Sequence, residues 1–218
     1  IMAQPHTPCA VELLDGASLN MIRHHTSLDL PANVGAVLML ELDGSAATLD
    51  EAMPAVQHAA HNEGLLEWRE ATTPQQVAEL WALRKALSPA LRTLAPKKIN
   101  EDVAVPVSRL PELIEGVQAL AAQHRVQVVC FGHAGNGNLH VNILGNPDHA
   151  DEGARMHACM AALFTLVLQL EGTLSAEHGV GLVKKDYIAQ ELGNTLPLMR
   201  QLKAVFDPAG ILNPGKWV

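Results

Sequence analysis

Three features of this chain predict an α+β fold. Short apolar, β-branched runs alternate with amphipathic helical stretches, a plain hairpin joins two such runs late in the chain, and no Gly-x-Gly-x-x-Gly opens a helix after an early strand. The arrangement that follows is a mostly antiparallel sheet with helices on one face, ferredoxin-like but enlarged or duplicated, ending in a helical tail. A doubly wound parallel sheet is the alternative, weakened by the missing glycine fingerprint. The nearest look-alike, Gly132 to Gly137, leads into a strand and so cradles no phosphate on a helix N-terminus.

Taken in order, residues 10–14 read as the first strand and 18–25 as the first helix. Residues 35–42 are the clearest strand, set between Asn33 and Asp43-Gly44. Residues 49–62 place Leu49, Met53 and Val56 on one helical face, and a short strand is expected at 66–69. Thr73-Pro74 suits a helix start, with threonine as cap and proline in the first turn, and Pro89 is expected to end that helix. Residues 102–105 read as a strand, and Ser108 is expected to cap a helix running to about His124 with Glu112 in its first turn. Residues 126–130 and 141–144 are the hairpin strands. Asp151 opens what reads as the longest helix, on which Met156, Met160, Leu163, Val167 and Leu170 recur at spacings of three and four.

Composition excludes several classes of function. At 218 residues the chain can bury a substantial core, and 48% hydrophobic with 17% charged residues is an ordinary globular balance. A net charge of −8 argues against nucleic acid as the partner. No apolar run reaches the roughly 20 residues of a membrane span, and the start lacks the order of a signal peptide. Cys9, Cys130 and Cys159 are odd in number and widely spaced, which points to free thiols in a reducing, cytoplasmic compartment. His24, His25, His58 and His61 sit among helix-like polar residues with no partners in view.

Chemistry concentrates in two glycine-rich stretches. In Phe131-Gly-His-Ala-Gly-Asn-Gly-Asn-Leu-His140, Asn136-Gly137 suits a two-residue type I′ turn. Such a turn sets His133 directly opposite His140, with Cβ atoms about 5 Å apart, close enough for two imidazoles to share a metal ion. The other reading is a glycine-rich hairpin with two surface histidines. In Glu171-Gly-Thr-Leu-Ser-Ala-Glu-His-Gly-Val-Gly181, an acid and a base stand side by side at Glu177-His178. On an extended segment they would face opposite ways, one toward a metal and one toward a substrate. The segment could instead simply cap a helix beginning near Gly181.

These two stretches, together with Phe206-Asp-Pro-Ala-Gly-Ile-Leu-Asn-Pro-Gly-Lys216, resemble the C-terminal half of FAD-linked oxidases. That group includes D-2-hydroxyglutarate dehydrogenase, D-lactate dehydrogenase and the flavin subunit of glycolate oxidase. Residues 97–111 are similar to the strand-to-helix passage of these enzymes, and weaker likeness runs from about Val34 to the C-terminus. The resemblance implies FAD-dependent oxidation of a D-2-hydroxy acid to the 2-oxo acid. It implies His133, His140 and Glu177 as ligands of a divalent ion, zinc or manganese, and His178 as the base that takes the hydroxyl proton. It implies Arg84, Ser88 and Asn142 as substrate contacts, Arg84 for the carboxylate, and Glu177, His178 and Asn213 as contacts to the flavin. A family lysine has Lys97 and Lys98 as candidates here, although the register puts Asn100 nearer its position.

Such enzymes carry an N-terminal FAD-binding domain of a different fold, and nothing like it stands in this sequence. Residues 1–200 are therefore expected to be the substrate-binding, or cap, domain, and 201–218 a tail that packs on the FAD-binding domain. The chain alone is expected to be inactive, with the FAD-binding domain, a small 2-hydroxy acid and an electron acceptor as its partners; a homodimer is compatible with the resemblance. The alternatives are a stand-alone metal- or small-ligand-binding α+β domain and a metal-dependent hydrolase.

Overall fold

The computed structural model describes residues 1–23, 29–146, 148–149 and 151–216. Five strands form one sheet: β1 (Ala10–Asp15), β2 (Ala36–Glu41), β3 (Lys97–Ala104), β4 (Gln127–His133) and β5 (Asn138–Gly145). Their order is β2-β1-β4-β5-β3, and every neighbouring pair is antiparallel. The helices are α1 (Gly16–Ile22), α2 (Ala46–Ala60), α3 (Pro74–Leu94), α4 (Leu110–His124), α5 (Glu152–Gln169), α6 (Ile188–Leu192) and α7 (Thr195–Phe206). Among the described residues no helix is long and apolar enough to cross a membrane.

The α+β class and the ferredoxin-like core follow from β3-α4-β4-β5-α5. β3 and β4 both run antiparallel to β5, which lies between them, so β3-α4-β4 is a split β-α-β unit. The strand that would complete the unit is reduced to one bridge, Thr173 to Ala104, on the open edge of β3. Gly172 permits that approach, since a Cβ there would stand 2.3 Å from the Ala104 carbonyl oxygen. β1, α1 and β2 enlarge the sheet beyond β4.

α4 and α5 are the helical layer of that core. They bury Leu113, Val117, Met156, Leu163, Phe164 and Val167 against Val11, Leu13, Cys130, Val141 and Ile143. The opposite face carries helices as well: α1 and α3 bury Leu19, Ile22, Leu83, Leu87 and Leu91 against Leu14, Val129, Phe131 and Leu144. The cause is in the strands. Val-Glu-Leu-Leu in β1 and Val-Val-Cys-Phe in β4 are apolar on both parities, as a doubly covered strand requires.

Several local expectations are corrected. Pro89 does not end α3, which runs 21 residues to Leu94. The apolar stripe Leu83, Leu87, Ala90, Leu91 continues past it into the core, and the proline itself faces solvent, where the carbonyl it leaves free can be hydrated. That length also makes α3, not α5 with 18 residues, the longest helix. Residues 66–69 join no ladder; all but the half-buried Trp68 are exposed, and side-chain bonds hold them, Arg69 to Glu67 and Trp68 to Glu70. Ser108 caps nothing, because a 3-10 turn over Val107–Arg109 precedes α4 and Pro111 fills the first turn. β3 begins at Lys97, five residues before the expected start. Asp151 opens α5 without a side-chain cap. The first helix is capped by Asp15, whose carboxylate accepts from the Ser18 backbone N–H at 2.7 Å and the Cys130 N–H at 3.1 Å. The expected end of that helix at His24 and His25 lies outside the described residues.

Candidate metal and substrate site

The face of the sheet that carries α1 and α3 also gathers the polar residues of the strands. Ladder register puts Glu12 of β1 opposite His133 of β4, and Asp102 of β3 opposite His140 of β5. Strand parity then sets Glu12, His133, His140, Asn142 and Asp102 on one side. The expected hairpin register is not the one observed. Phe131, not His133, stands opposite His140, and the turn is a 3-10 turn over Ala134–Asn136 closed by Gly137 at φ 79°. The turn is fixed from outside. The Val105 N–H donates to the Gly137 carbonyl at 3.1 Å, and a Cβ at 137 would stand 1.9 Å from the Val105 oxygen. The shift is two residues, one full strand period, so His133 keeps the face of His140. Their ring centroids are 5.5 Å apart.

Residues 175–181 form the other wall. Asp102, fully buried at the end of β3, accepts the successive backbone N–H groups of Ala176, Glu177 and His178 on one oxygen at 3.0, 2.8 and 2.9 Å. Its other oxygen accepts the Asn138 amide at 2.6 Å. Three successive N–H groups aimed at one carboxylate curl the chain, so Glu177 and His178 do not face opposite ways as an extended segment would have them. No helix starts near Gly181; the next one is α6. The curl brings Glu177 Oε1 to 3.2 Å from His140 Nε2, 3.6 Å from His133 Nε2 and 3.7 Å from His178 Nε2. The His178 ring stacks on His140 with centroids 5.2 Å apart and planes 15° from parallel.

These side chains suit a cation. Three imidazole nitrogens surround one carboxylate oxygen, the donor set that borderline divalent ions prefer. Each of the two strand histidines turns Nδ1 toward a carboxylate, His133 toward Glu12 in direct hydrogen bond and His140 toward Asp102 Oδ1 at 3.9 Å. That leaves both Nε2 atoms aimed at Glu177, the outer arrangement common to metal-binding histidines. Burial holds the His140 imidazole below its usual range against the pull of Glu177 and Asp102, which favours the neutral form that a ligand needs. Asp102 shows the opposite balance. Burial acts to raise it, but hydrogen bonds from the His178 N–H, the Asn138 amide and the Glu177 N–H leave it below the usual carboxylate range. Ligand atoms of Asp102, His140, Glu177 and His178 also lie within 4.8 Å of one another. In that set Asp102 already spends both oxygens on hydrogen bonds, so it holds the loop in place and is poorly free to bind an ion.

Arg84 of α3 reaches this cluster through Glu12, donating from Nε to Glu12 Oε2 at 2.7 Å, with its guanidinium 4.8 Å from the Phe131 ring centroid. Asn142 is buried beside His140; its amide meets the Val129 and His140 carbonyls at 3.4 Å, and its Oδ1 has no partner among the described residues. Ser88 lies on α3 one turn beyond Arg84, and its side chain is outside the described residues. Lys98 shares the His140 face two positions beyond Asn100, which stands opposite Asn142, whereas Lys97 has the other parity. Asn213 is not in the cluster. It lines a cleft of about 300 Å³ with Arg200, Lys203 and Asp207, where α7 meets the turn after it. Sequence reasoning missed Glu12, a lone acid at a buried position of an apolar strand, and Asp102, which stands beside Glu101 in a strand of mixed polarity. It also missed Lys184, buried behind the loop, which donates to the Asp102 carbonyl at 2.7 Å and lies 3.6 Å from buried Glu101.

Comparison with known proteins matches residues 1–217 to the family described as FAD linked oxidases, C-terminal domain. The chain belongs to this family. It is 33% identical over 217 residues to the glycolate oxidase subunit GlcD of Bacillus subtilis, covering 99% of this chain and 46% of that protein. It is 35% identical over 173 residues to D-2-hydroxyglutarate dehydrogenase of Stutzerimonas stutzeri, covering 77% of this chain and 37% of that protein. The chain thus spans less than half the length of these relatives. A solved 4-ethylphenol oxidase from Gulosibacter chungangensis, in complex with isoeugenol, shares the fold at TM-score 0.60 and 17% identity, over 95% of this chain and 47% of that one.

Proposed function

We propose that this member of the FAD-linked oxidase family is the substrate-binding part of an FAD-dependent oxidoreductase that oxidises a D-2-hydroxy acid to the 2-oxo acid. One observation carries the reading: the Nε2 atoms of His133, His140 and His178 converge within 3.2–3.7 Å of one Glu177 oxygen. The two relatives named above, one called a glycolate oxidase and one a D-2-hydroxyglutarate dehydrogenase, support the substrate class, both acids bearing the hydroxyl next to the carboxylate.

His133, His140 and Glu177 would hold a divalent ion, zinc or manganese, which supplies Lewis acidity to the substrate hydroxyl. FAD, held mainly by a further domain like the remaining length of the relatives, supplies the hydride acceptor, and an electron acceptor reoxidises it. This chain's own residues do the rest. Arg84 takes the carboxylate with the part of its planar fork that Glu12 leaves open. His178, whose ring has no hydrogen-bond partner among the described residues, is free to accept the hydroxyl proton, while His133 is tied at Nδ1. Asn142 and Ser88 flank the substrate, and Lys98, by its parity, is the better placed of the two lysines. Glu177 and His178 stand at the half-exposed edge where the flavin would meet this chain. Asn213 and residues 201–218 would form the contact with the FAD-binding domain, since Leu198, Leu202, Val205, Phe206 and Ile211 all lie on the surface.

Zinc titration of the chain and two variants tests the assignment. His140→Ala should weaken binding by about a hundredfold or more, and His178→Ala by less than about threefold. In the longer protein, turning over glycolate or D-lactate with a dye acceptor, His178→Ala should lower kcat by about a hundredfold or more at unchanged metal content. Loss of metal in His178→Ala with retention in His140→Ala reverses ligand and base.

A further inference from the structure

Glu12 joins the two ends of this site. It is buried at 5% exposure on β1, in a strand otherwise apolar from Val11 to Leu14, and both of its oxygens are committed. Oε2 accepts Arg84 Nε at 2.7 Å, and Oε1 meets His133 Nδ1. We infer that Glu12 is a positioning residue that couples the metal end of the site to the substrate-carboxylate end, so that one carboxylate sets both the tautomer of His133 and the aim of Arg84. The inference rests on the metal and substrate reading given above.

The chemistry of each contact says what is coupled. An imidazole that gives its Nδ1 proton to a carboxylate must present the Nε2 lone pair on its other side, and that side of His133 faces Glu177. The same hydrogen bond makes the ring a stronger donor toward a cation. At the other oxygen, Glu12 takes only one of the five N–H groups of the guanidinium, leaving its terminal nitrogens without a hydrogen-bond partner among the described residues. The guanidinium plane is held as well, over Phe131, which stands opposite His140 in the ladder. Glu12 therefore lies between a fixed cation, Arg84, and the place where a second cation would sit. Without a negative charge between them the two would repel in a half-buried setting where screening is weak. Neutralising that repulsion lets metal and arginine bind the same small acid.

The test uses Co²⁺ as the metal probe and glycolate as the acid probe, with visible absorption bands reporting the ligand set. Wild type should bind Co²⁺ through the histidine cluster, and His140→Ala should abolish those bands. Glu12→Gln keeps the shape but not the charge; it should weaken Co²⁺ by about 10- to 100-fold, shift the bands, and weaken glycolate on the metal-loaded protein. Glu12→Asp retains the charge one methylene short and should recover part of both losses, which a variant acting only on stability would not do. Circular dichroism and melting confirm that each variant is folded, and the aspartate variant carries the test if the glutamine one does not fold. Glu12→Gln, or in its place Glu12→Asp, binding both probes within twofold of wild type with unshifted bands overturns the coupling while leaving the metal site intact. Co²⁺ binding that His140→Ala leaves unchanged overturns the metal reading, and this inference falls with it.

Discussion

Alternate residues of β5 look in opposite directions, and the two faces they help to build differ in kind. Leu139, Val141 and Ile143 enter the layer between the sheet and the α4–α5 pair, which is apolar apart from Glu101, opposite Val141 in the ladder, and its partner Lys184. His140 and Asn142, interleaved with them, enter a cluster that is buried on the strand side and half open at Glu177 and His178. The first face is the ordinary product of the hydrophobic effect, each large side chain stabilising by roughly 1.5–3 kcal/mol. The second buries Glu12, Asp102, His140 and Asn142, which costs free energy unless every polar atom finds a partner. His140 Nδ1 and Asn142 Oδ1 have none among the described residues. The ferredoxin-like layer thus works as a foundation. A substitution there should be read in stability alone, and one on the other face in binding as well wherever it touches the histidine cluster.

The comparison is broken most directly from the apolar side. Phe164 on α5 is fully buried, with its ring 4.8 Å from that of Tyr187. Phe164→Ala should cost about 3–5 kcal/mol in urea unfolding, while zinc affinity of the folded fraction stays within about twofold. A variant that kept its stability but lost zinc would mean that the two faces are not separable.

Asp102 sharpens the same contrast from the polar side. Asp102→Asn keeps the shape but replaces a charged acceptor of the three loop N–H groups with a neutral one, and should cost about 2 kcal/mol. The pH dependence gives a signature. The folded carboxyl lies below its ordinary range, so its contribution is complete above the unfolded value of about 3.9 and is lost as pH falls through the lower folded one. Wild type should therefore lose stability between about pH 4 and pH 2 more steeply than Asp102→Asn. Parallel curves would show that the carboxylate is not what holds the loop.

How much of this was legible in the sequence follows from the range of each interaction. β1, β2 and β5 announce themselves by local apolar runs, and the α5 stripe by its period. The glycine-rich spacing picks out His133, His140, Glu177 and His178, four side chains that do converge. The hairpin register was not legible, because it is set by the contact between Gly137 and Val105, 32 residues earlier in the chain. Its two-residue error was harmless only because the strand period is also two. Glu12 and Asp102 were missed for a related reason. Each acts on partners across the fold, Glu12 on Arg84 72 residues away and Asp102 on a loop about 75 away, and neither Glu12 alone in β1 nor Asp102 beside Glu101 in β3 carries a local pattern that names its partner. Pro89 misled in the other direction, a strong local signal overridden by the burial of Ala90 and Leu91.

The weakest effect is expected at the tail, which belongs to neither face. Val205 and Phe206 are 73% and 76% exposed, so Val205→Ser with Phe206→Ser should change the stability of this chain by no more than about 0.5 kcal/mol. The turn beyond them is stitched locally. Asp207 accepts the N–H groups of Ile211 and Leu212, each at 3.0 Å, and Lys203 bonds both Asp207 and the Leu212 carbonyl. Hydrogen exchange should therefore find residues 211 and 212 slowed relative to free peptide, yet far less protected than β5. If the tail docks on an FAD-binding domain as proposed, the same double substitution should loosen that contact, seen as faster flavin loss from a protein that carries both. Protection at 206–216 equal to that of β5 in this chain alone would show the tail already packed, and its apolar residues would then not be waiting for another domain.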